Sequence, residues 1–315
     1  MDKSRFMGIV GAIRGNIEKI IVGKTAQIDL ILSALLAGGH VLLNDVPGTG
    51  KTLLAKTLAK SFDCDFGRIQ FTPDLLPTDL TGINNYNQKE NQFVFRKGAL
   101  FKNILLADEI NRATPRTQSG LLESMEEQQI TIDGQTHKLE TPYFVIATQN
   151  PVETYGTYPL PEAQLDRFLI RLSLGYPTKV ETISIIKRFS TSRLLEDIKP
   201  VCSINELLEM KRAVETVFIH DDLLSYIVEL TEQTRTAGSA VLGVSTRGAV
   251  ALKTLCMSYA ALCGRDYVLP DDIQLLLPYV YAHRMIMRTG SAGNAGELLK
   301  NITEGIKVPS EDYRR

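Results

Sequence analysis

Eight residues constrain this chain more than any others: Asp45-Val46-Pro47-Gly48-Thr49-Gly50-Lys51-Thr52, set between the apolar run HVLLN (residues 40–44) and the helical stretch TLLAKTLAKSF. Glycines let such a loop curl until successive backbone N–H groups point inward at a phosphate chain. Lys51 can then reach the β- and γ-phosphates, and the Thr52 hydroxyl is offered to Mg²⁺. The general pattern asks for glycine where this chain has Asp45. The strand before the loop and the helix after it supply the context that the departure weakens. Short apolar strands separated by helical stretches indicate a parallel sheet covered on both faces.

Four further runs fit that sheet: FGRIQF, NILLAD (Asn103 to Asp108), YFVIAT (Tyr143 to Thr148) and FLIRLSL (Phe168 to Leu174). The third strand delivers Asp108 and Glu109 to the carboxyl edge, where ligands bind in such folds. Asp108 suits the Mg²⁺ shell. Glu109 suits the general base that deprotonates an attacking water. A solvated strand end is the ordinary reading of Asp-Glu by itself, and the phosphate loop is what makes the pair specific. Two stretches exceed a simple connection: residues 81–98, and residues 128–141 with Asp133-Gly134 as a hairpin signal. Both read as insertions projecting from the sheet.

Past Gly175-Tyr176-Pro177 the periodicity turns helical, with Ser203 and Glu206 as a capping box. The chain therefore divides into an α/β nucleotide-binding domain, residues 1–176, and an all-α lid domain, residues 177–315. The stretch after Thr289, rich in Gly, Ala and Ser, reads as flexible ahead of a short helix near Glu297 to Ile306. A formal net charge of -1 gives no global pull toward nucleic acid or anionic membrane. No apolar run has the length of a membrane span, and the N-terminus has helical spacing instead of a signal peptide's apolar block. The expectation is a cytoplasmic protein. Cys64, Cys202, Cys256 and Cys263 form no metal-binding spacing and read as buried free thiols.

With these residues in view, the chain resembles the AAA+ ATPases, and within them the MoxR family. The resemblance is carried by DEINRATPRTQSGLLESMEEQQIT (Asp108 to Thr131), RIQFTPDLLPTDLTG (Arg68 to Gly82) and ATQNPVETYGTYPLPEAQLDRF (Ala147 to Phe168). It implies a five-stranded sheet of order 5-1-4-3-2, ATP and Mg²⁺ as ligands, and Pro47, Gly48, Thr49, Gly50, Lys51, Thr52 and Leu53 around the nucleotide. Val22 and Gly23 lie where the family receives the adenine. Asn150 resembles the sensor 1 amide that holds the attacking water; an ordinary turn asparagine is the other reading. Arg167 matches an arginine finger reaching a neighbouring subunit's γ-phosphate, against a local salt bridge to Asp166 or Glu162. Arg112 and Arg171 are lesser candidates for that task. Arg247 matches sensor 2, a lid arginine contacting phosphates of its own subunit, with Ser245 or Thr246 capping its helix. The two insertions resemble the helix-2 insert and the pre-sensor hairpin.

A finger makes sense only in a head-to-tail assembly, and the family expectation is a hexameric ring. The function implied is chaperone-like remodelling of protein clients, among them proteins with a von Willebrand factor A domain. A nucleic-acid motor of the MCM-like branch, or a non-hydrolysing switch scaffold, is the alternative.

Overall fold

The computed structural model describes residues 1–89, 91–152, 156–189, 195–288, 294–310 and 313. The Gly- and Ala-rich residues 289–293, read above as flexible, lie outside them. The chain opens with α1 (Lys3–Ile20) and α2 (Thr25–Leu36). In α1 the apolar positions Phe6, Ile9, Val10, Ile13, Ile17 and Ile20 all become buried, as their helical spacing requires. Then follow β1 (Val41–Asn44), α3 (Lys51–Ser61), β2 (Phe66–Gln70), α4 (Pro77–Thr81), β3 (Gly82–Asn87), β4 (Gln92–Lys97), β5 (Ile104–Asp108), α5 (Pro115–Glu127), β6 (Gln129–Ile132), β7 (Gln135–Lys138), β8 (Phe144–Gln149), α6 (Glu162–Leu165) and β9 (Ile170–Leu172).

Five of these strands form one sheet in the order β2-β5-β8-β1-β9, every pair parallel. Counted along the chain this is the expected order 5-1-4-3-2. Period-2 alternation splits the apolar strands between two faces. Val41, Leu43, Ile104, Leu106 and Ile146 join the core with α1, α2, α3 and the later helices. Leu42, Leu105, Ala107, Val145 and Ala147 face the opposite way, onto the α5 residues Leu121, Leu122 and Met125.

Both insertions are hairpins. At the β6–β7 turn Asp133 and Gly134 have φ of 48° and 78°, the two positive values a tight two-residue turn demands. The longer stretch, read only as a polar projection, is the antiparallel pair β3–β4. The hairpins are joined: Asn84 donates to Asp133 at 2.8 Å, and the Phe95 and His137 rings stack 4.0 Å apart. Tyr86 and Phe93 meet edge to face on the first hairpin and stay exposed.

The second half contributes α7 (Lys179–Phe189), α8 (Ile204–Val214), α9 (Asp221–Thr236), β10 (Ala240–Leu242), α10 (Thr246–Leu262), α11 (Pro270–Tyr281), β11 (Ile286–Met287) and α12 (Ala295–Gly305). The expectation of an all-α lid is corrected in one respect: β10 and β11 pair as a small antiparallel ribbon, too short to leave an alternating signature in the sequence. Helix α10 packs on α2, and Ser258 donates to the Ser33 carbonyl at 2.8 Å. Among the cysteines, Cys202 and Cys256 are buried, whereas Cys263 is exposed, against the expectation of burial.

Two buried histidines make the fold acid-sensitive. His40 donates from Nε2 to the Met125 carbonyl at 3.1 Å, and its Nδ1 accepts the Val145 N–H at 3.0 Å. Burial lowers its pKa from 6.5 to about 4, and burial beside Arg284 pushes His283 well below the usual range. From pH 6.5 down toward 4 the unfolded chain therefore takes up protons that the native chain refuses. Stability is expected to fall over that interval by up to about 1.4 kcal/mol per pH unit for each ring. Urea midpoints at pH 7.5 and 5 measure this, and an unchanged midpoint would contradict neutral burial.

Candidate nucleotide site

The loop from Asp45 to Thr52 joins β1 to α3 at the carboxyl edge of the sheet. Gly48 and Gly50 have φ of 86° and 87°, values that glycine adopts freely, and Gly50 stands immediately before the first turn of α3. The loop N–H groups and the helix N-terminus make an anion-binding concavity there. Lys51 is buried and its Nζ donates to the Asp45 carbonyl at 3.2 Å. Beside the loop lies an open cleft lined by Val22, Gly48, Thr49, Gly50 and Leu53. Val22, expected near the adenine, and Leu53, expected near the nucleotide, both line this cleft. Gly23 (φ 71°) is next to the lining and has the Glu181 side chain over its Cα, so a side chain there would collide. The sequence reading missed Ile20, Ile21, Lys24, Gly175, Pro177 and Ile185, which complete the walls.

Across the sheet, β8 separates β1 from β5, pairing Leu43 with Thr148 and Ala107 with Ala147. The Asp108–Glu109 end is therefore one strand away from the loop. Thr148 organises it, donating to Asp108 Oδ1 at 2.6 Å and accepting the Glu109 N–H at 2.9 Å. Glu109 takes the left-handed conformation (φ 57°, ψ 50°), uncommon for a non-glycine residue. Its Oε2 accepts from Gln70 Nε2 at 2.7 Å and lies 3.5 Å from Arg112 Nε. Arg68 pairs with Asp108 Oδ2 at 2.8 Å. Gln70 ends the neighbouring strand β2 and Arg68 lies two residues before it on the same face, so strand order combined with the motif RIQF would have found both.

The oxygen donors of Thr52 and Asp108 suit Mg²⁺, which takes one or two protein ligands and completes its shell with phosphates and water. No cluster of three His, Cys, Asp or Glu side chains able to hold a metal occurs among the described residues. Asn150 is buried just past β8, and its Oδ1 accepts the Val152 N–H at 3.1 Å. That bond is the turn contact, and the amide NH₂ is a separate donor.

The two arginines come together elsewhere. Arg167 Nε lies 3.0 Å from Glu126 Oε2, and Arg247 NH1 lies 2.9 Å from Glu126 Oε1. Arg167 thus pairs with the end of α5, not with Asp166 or Glu162. Asp166 is held instead by Arg284, at 2.6 Å from Nε, and Arg284 also donates to the Phe168 carbonyl at 2.7 Å. Ser245 caps α10 by accepting the Gly248 N–H at 3.2 Å, which fixes the turn bearing Arg247. Arg247, expected to contact phosphates of its own subunit, has its guanidinium engaged by Glu126 beside Arg167 in this arrangement. Glu126 and Arg284 carried no sequence signal, because pairs this far apart in the chain show no spacing. Arg171 is partly buried, and desolvation lowers its pKa.

The ATPase family associated with various cellular activities (AAA) matches residues 40–170, and the AAA lid domain matches residues 232–302. The chain is 48% identical over 304 residues to the Bacillus subtilis (strain 168) protein YeaC, covering 96% of this chain and 95% of that one. It is 40% identical over 280 residues to Chaperone MoxR1 of Mycobacterium tuberculosis, covering 86% and 74%. A crystal structure from Cytophaga hutchinsonii, described as that of a candidate ATPase, superposes with a TM-score of 0.92 at 38% identity, covering 98% and 97%. Among the described residues no helix is long and apolar enough to cross a membrane. The matched families, the relatives and the sheet order agree, and the chain belongs to the MoxR family of AAA+ ATPases.

Proposed function

We propose that this chain binds ATP with Mg²⁺ and hydrolyses it between neighbouring subunits of a ring, driving chaperone-like remodelling of protein clients. The α/β unit that binds the nucleotide is read as ending at Tyr176, before the lid. The observation that carries the proposal is the placement of Lys51 and the Asp108–Glu109 end on one sheet edge, separated only by the strand that leads to Asn150. In this reading the loop N–H groups bind the β-phosphate, and Lys51 exchanges the Asp45 carbonyl for phosphate oxygens. Thr52 and Asp108 would hold Mg²⁺, which would supply charge neutralisation when bound. Asn150 holds the water and Glu109 accepts its proton as the new P–O bond forms and the bond to ADP breaks.

Arg167 and Arg247, gathered by Glu126, are read as a pair serving the nucleotide of the adjacent subunit. That revises the expectation that Arg247 serves its own. Remodelling of proteins is supported by the Mycobacterium tuberculosis relative being named a chaperone. A von Willebrand factor A domain partner and a hexamer follow from the family alone, and the net charge of -1 speaks against nucleic acid as the substrate.

Lys51→Ala tests the site. Titration calorimetry with Mg·ATP is expected to show affinity reduced at least about a hundred-fold, because a buried cation facing three phosphate charges is lost. Unchanged affinity would place the nucleotide elsewhere.

A further inference from the structure

Asp45 is the residue of the phosphate loop that departs from the general pattern, and phosphate binding alone does not account for it. Its side chain is buried, 3% exposed. The carboxylate accepts three hydrogen bonds from the segment that leaves the sheet for the lid. Ser173 Oγ donates to Oδ1 at 2.7 Å, the Leu174 N–H to Oδ2 at 2.7 Å, and the Gly175 N–H to Oδ1 at 3.0 Å. Charge-assisted bonds of this kind are the strong ones, and leaving a buried carboxylate without them is costly. Glycine at this position would make none of them.

The segment so held is the connector between β9 and α7. Gly175 has φ of 64° with open space where a Cβ would stand, so its backbone is the point at which the chain turns. Gly175 and Pro177 also line the cleft beside Gly48 and Gly50. The backbone of Asp45 is tied to the other side of the site. Its N–H donates to the Gln149 carbonyl at 3.2 Å, and its carbonyl accepts from Lys51 Nζ at 3.2 Å. When Lys51 turns to phosphate, the Asp45 carbonyl loses that partner. The side chain of the same residue carries the change directly to the connector, a far shorter route than the main chain through the sheet.

We infer that Asp45 is a positioning residue that couples occupancy of the phosphate loop to the set of the lid connector, residues 173–175; this rests on the nucleotide-site reading above. The test compares the full-length chain with Asp45→Gly, which restores the general loop pattern. Hydrogen exchange across residues 173–188 is followed with and without Mg·ATP, beside nucleotide affinity and the kcat and KM for hydrolysis. In the unsubstituted chain, nucleotide is expected to change protection of the connector and α7. In Asp45→Gly, kcat at saturating Mg·ATP is expected to fall about ten-fold and the connector's response to disappear. Asp45→Asn keeps an acceptor for Ser173 and Gly175 at Oδ1 but sets its NH₂ against the Leu174 N–H, so it should weaken the response in part. Should Asp45→Gly fail to fold, Ser173→Ala removes one of the three donors and should weaken the response in part. A connector response equal to that of the unsubstituted chain in Asp45→Gly or Asp45→Asn would overturn the inference. Failure of the unsubstituted chain to bind ATP would instead overturn the nucleotide-site reading.

Discussion

A chain carrying Glu109→Gln is expected to bind ATP with the affinity of the unsubstituted protein and to release phosphate at least about a hundred-fold more slowly. The substitution keeps shape and hydrogen-bonding capacity but removes the lone pair that accepts the water's proton. The local structure makes the variant a clean one. The left-handed backbone at Glu109 is imposed by the strand end and by Thr148, which accepts the residue's N–H at 2.9 Å, so the side chain's origin does not depend on its charge. Gln70, 2.7 Å from Oε2 of Glu109, meets an amide oxygen as readily as a carboxylate. Binding is therefore preserved while proton transfer is lost. Phosphate release at saturating ATP and nucleotide retention on the assembled protein measure the two separately. Hydrolysis at the unsubstituted rate would remove Glu109 from the role of base.

Motifs and strands were legible in the sequence where the physical constraint is local. A glycine loop must be written in consecutive residues, and Asp133-Gly134 announces its turn by φ values few other pairs accept. Helix α1 shows its buried face in the spacing of its isoleucines. The strand order was not in those patterns; it came with the family resemblance, and the parallel pairing agrees with it. Long-range polar partnerships were illegible. Nothing in the chain links Glu126 with Arg167 and Arg247, or Arg284 with Asp166, since such pairs are selected by tertiary placement alone. Asp45 looked like a blemish in a motif because the connector that it grips lies 128 to 130 residues away. The ribbon β10–β11 escaped notice for a related reason, its strands being too short to have a period.

The pairing through Glu126 makes the largest prediction. Homogeneous Arg167→Ala is expected to lose about a thousand-fold or more in kcat, the range for removal of an arginine finger, with nucleotide binding retained. Homogeneous Lys51→Ala fails for a different reason, having no competent loop. In a head-to-tail ring each active site joins one subunit's loop to its neighbour's arginine. A one-to-one mixture of these two variants should therefore recover about a quarter of the unsubstituted rate, the share of random interfaces that combine an intact loop with an intact arginine. No recovery from proteins shown by light scattering to co-assemble would count against action across the interface. The same logic decides the place of Arg247. If it acts beside Arg167 on the neighbour's nucleotide, mixing Arg167→Ala with Arg247→Ala restores nothing, because no single subunit presents both arginines. If Arg247 serves its own loop, that mixture recovers as the first one does. The shared carboxylate of Glu126, within 3.0 Å of both guanidinium groups, favours the former outcome.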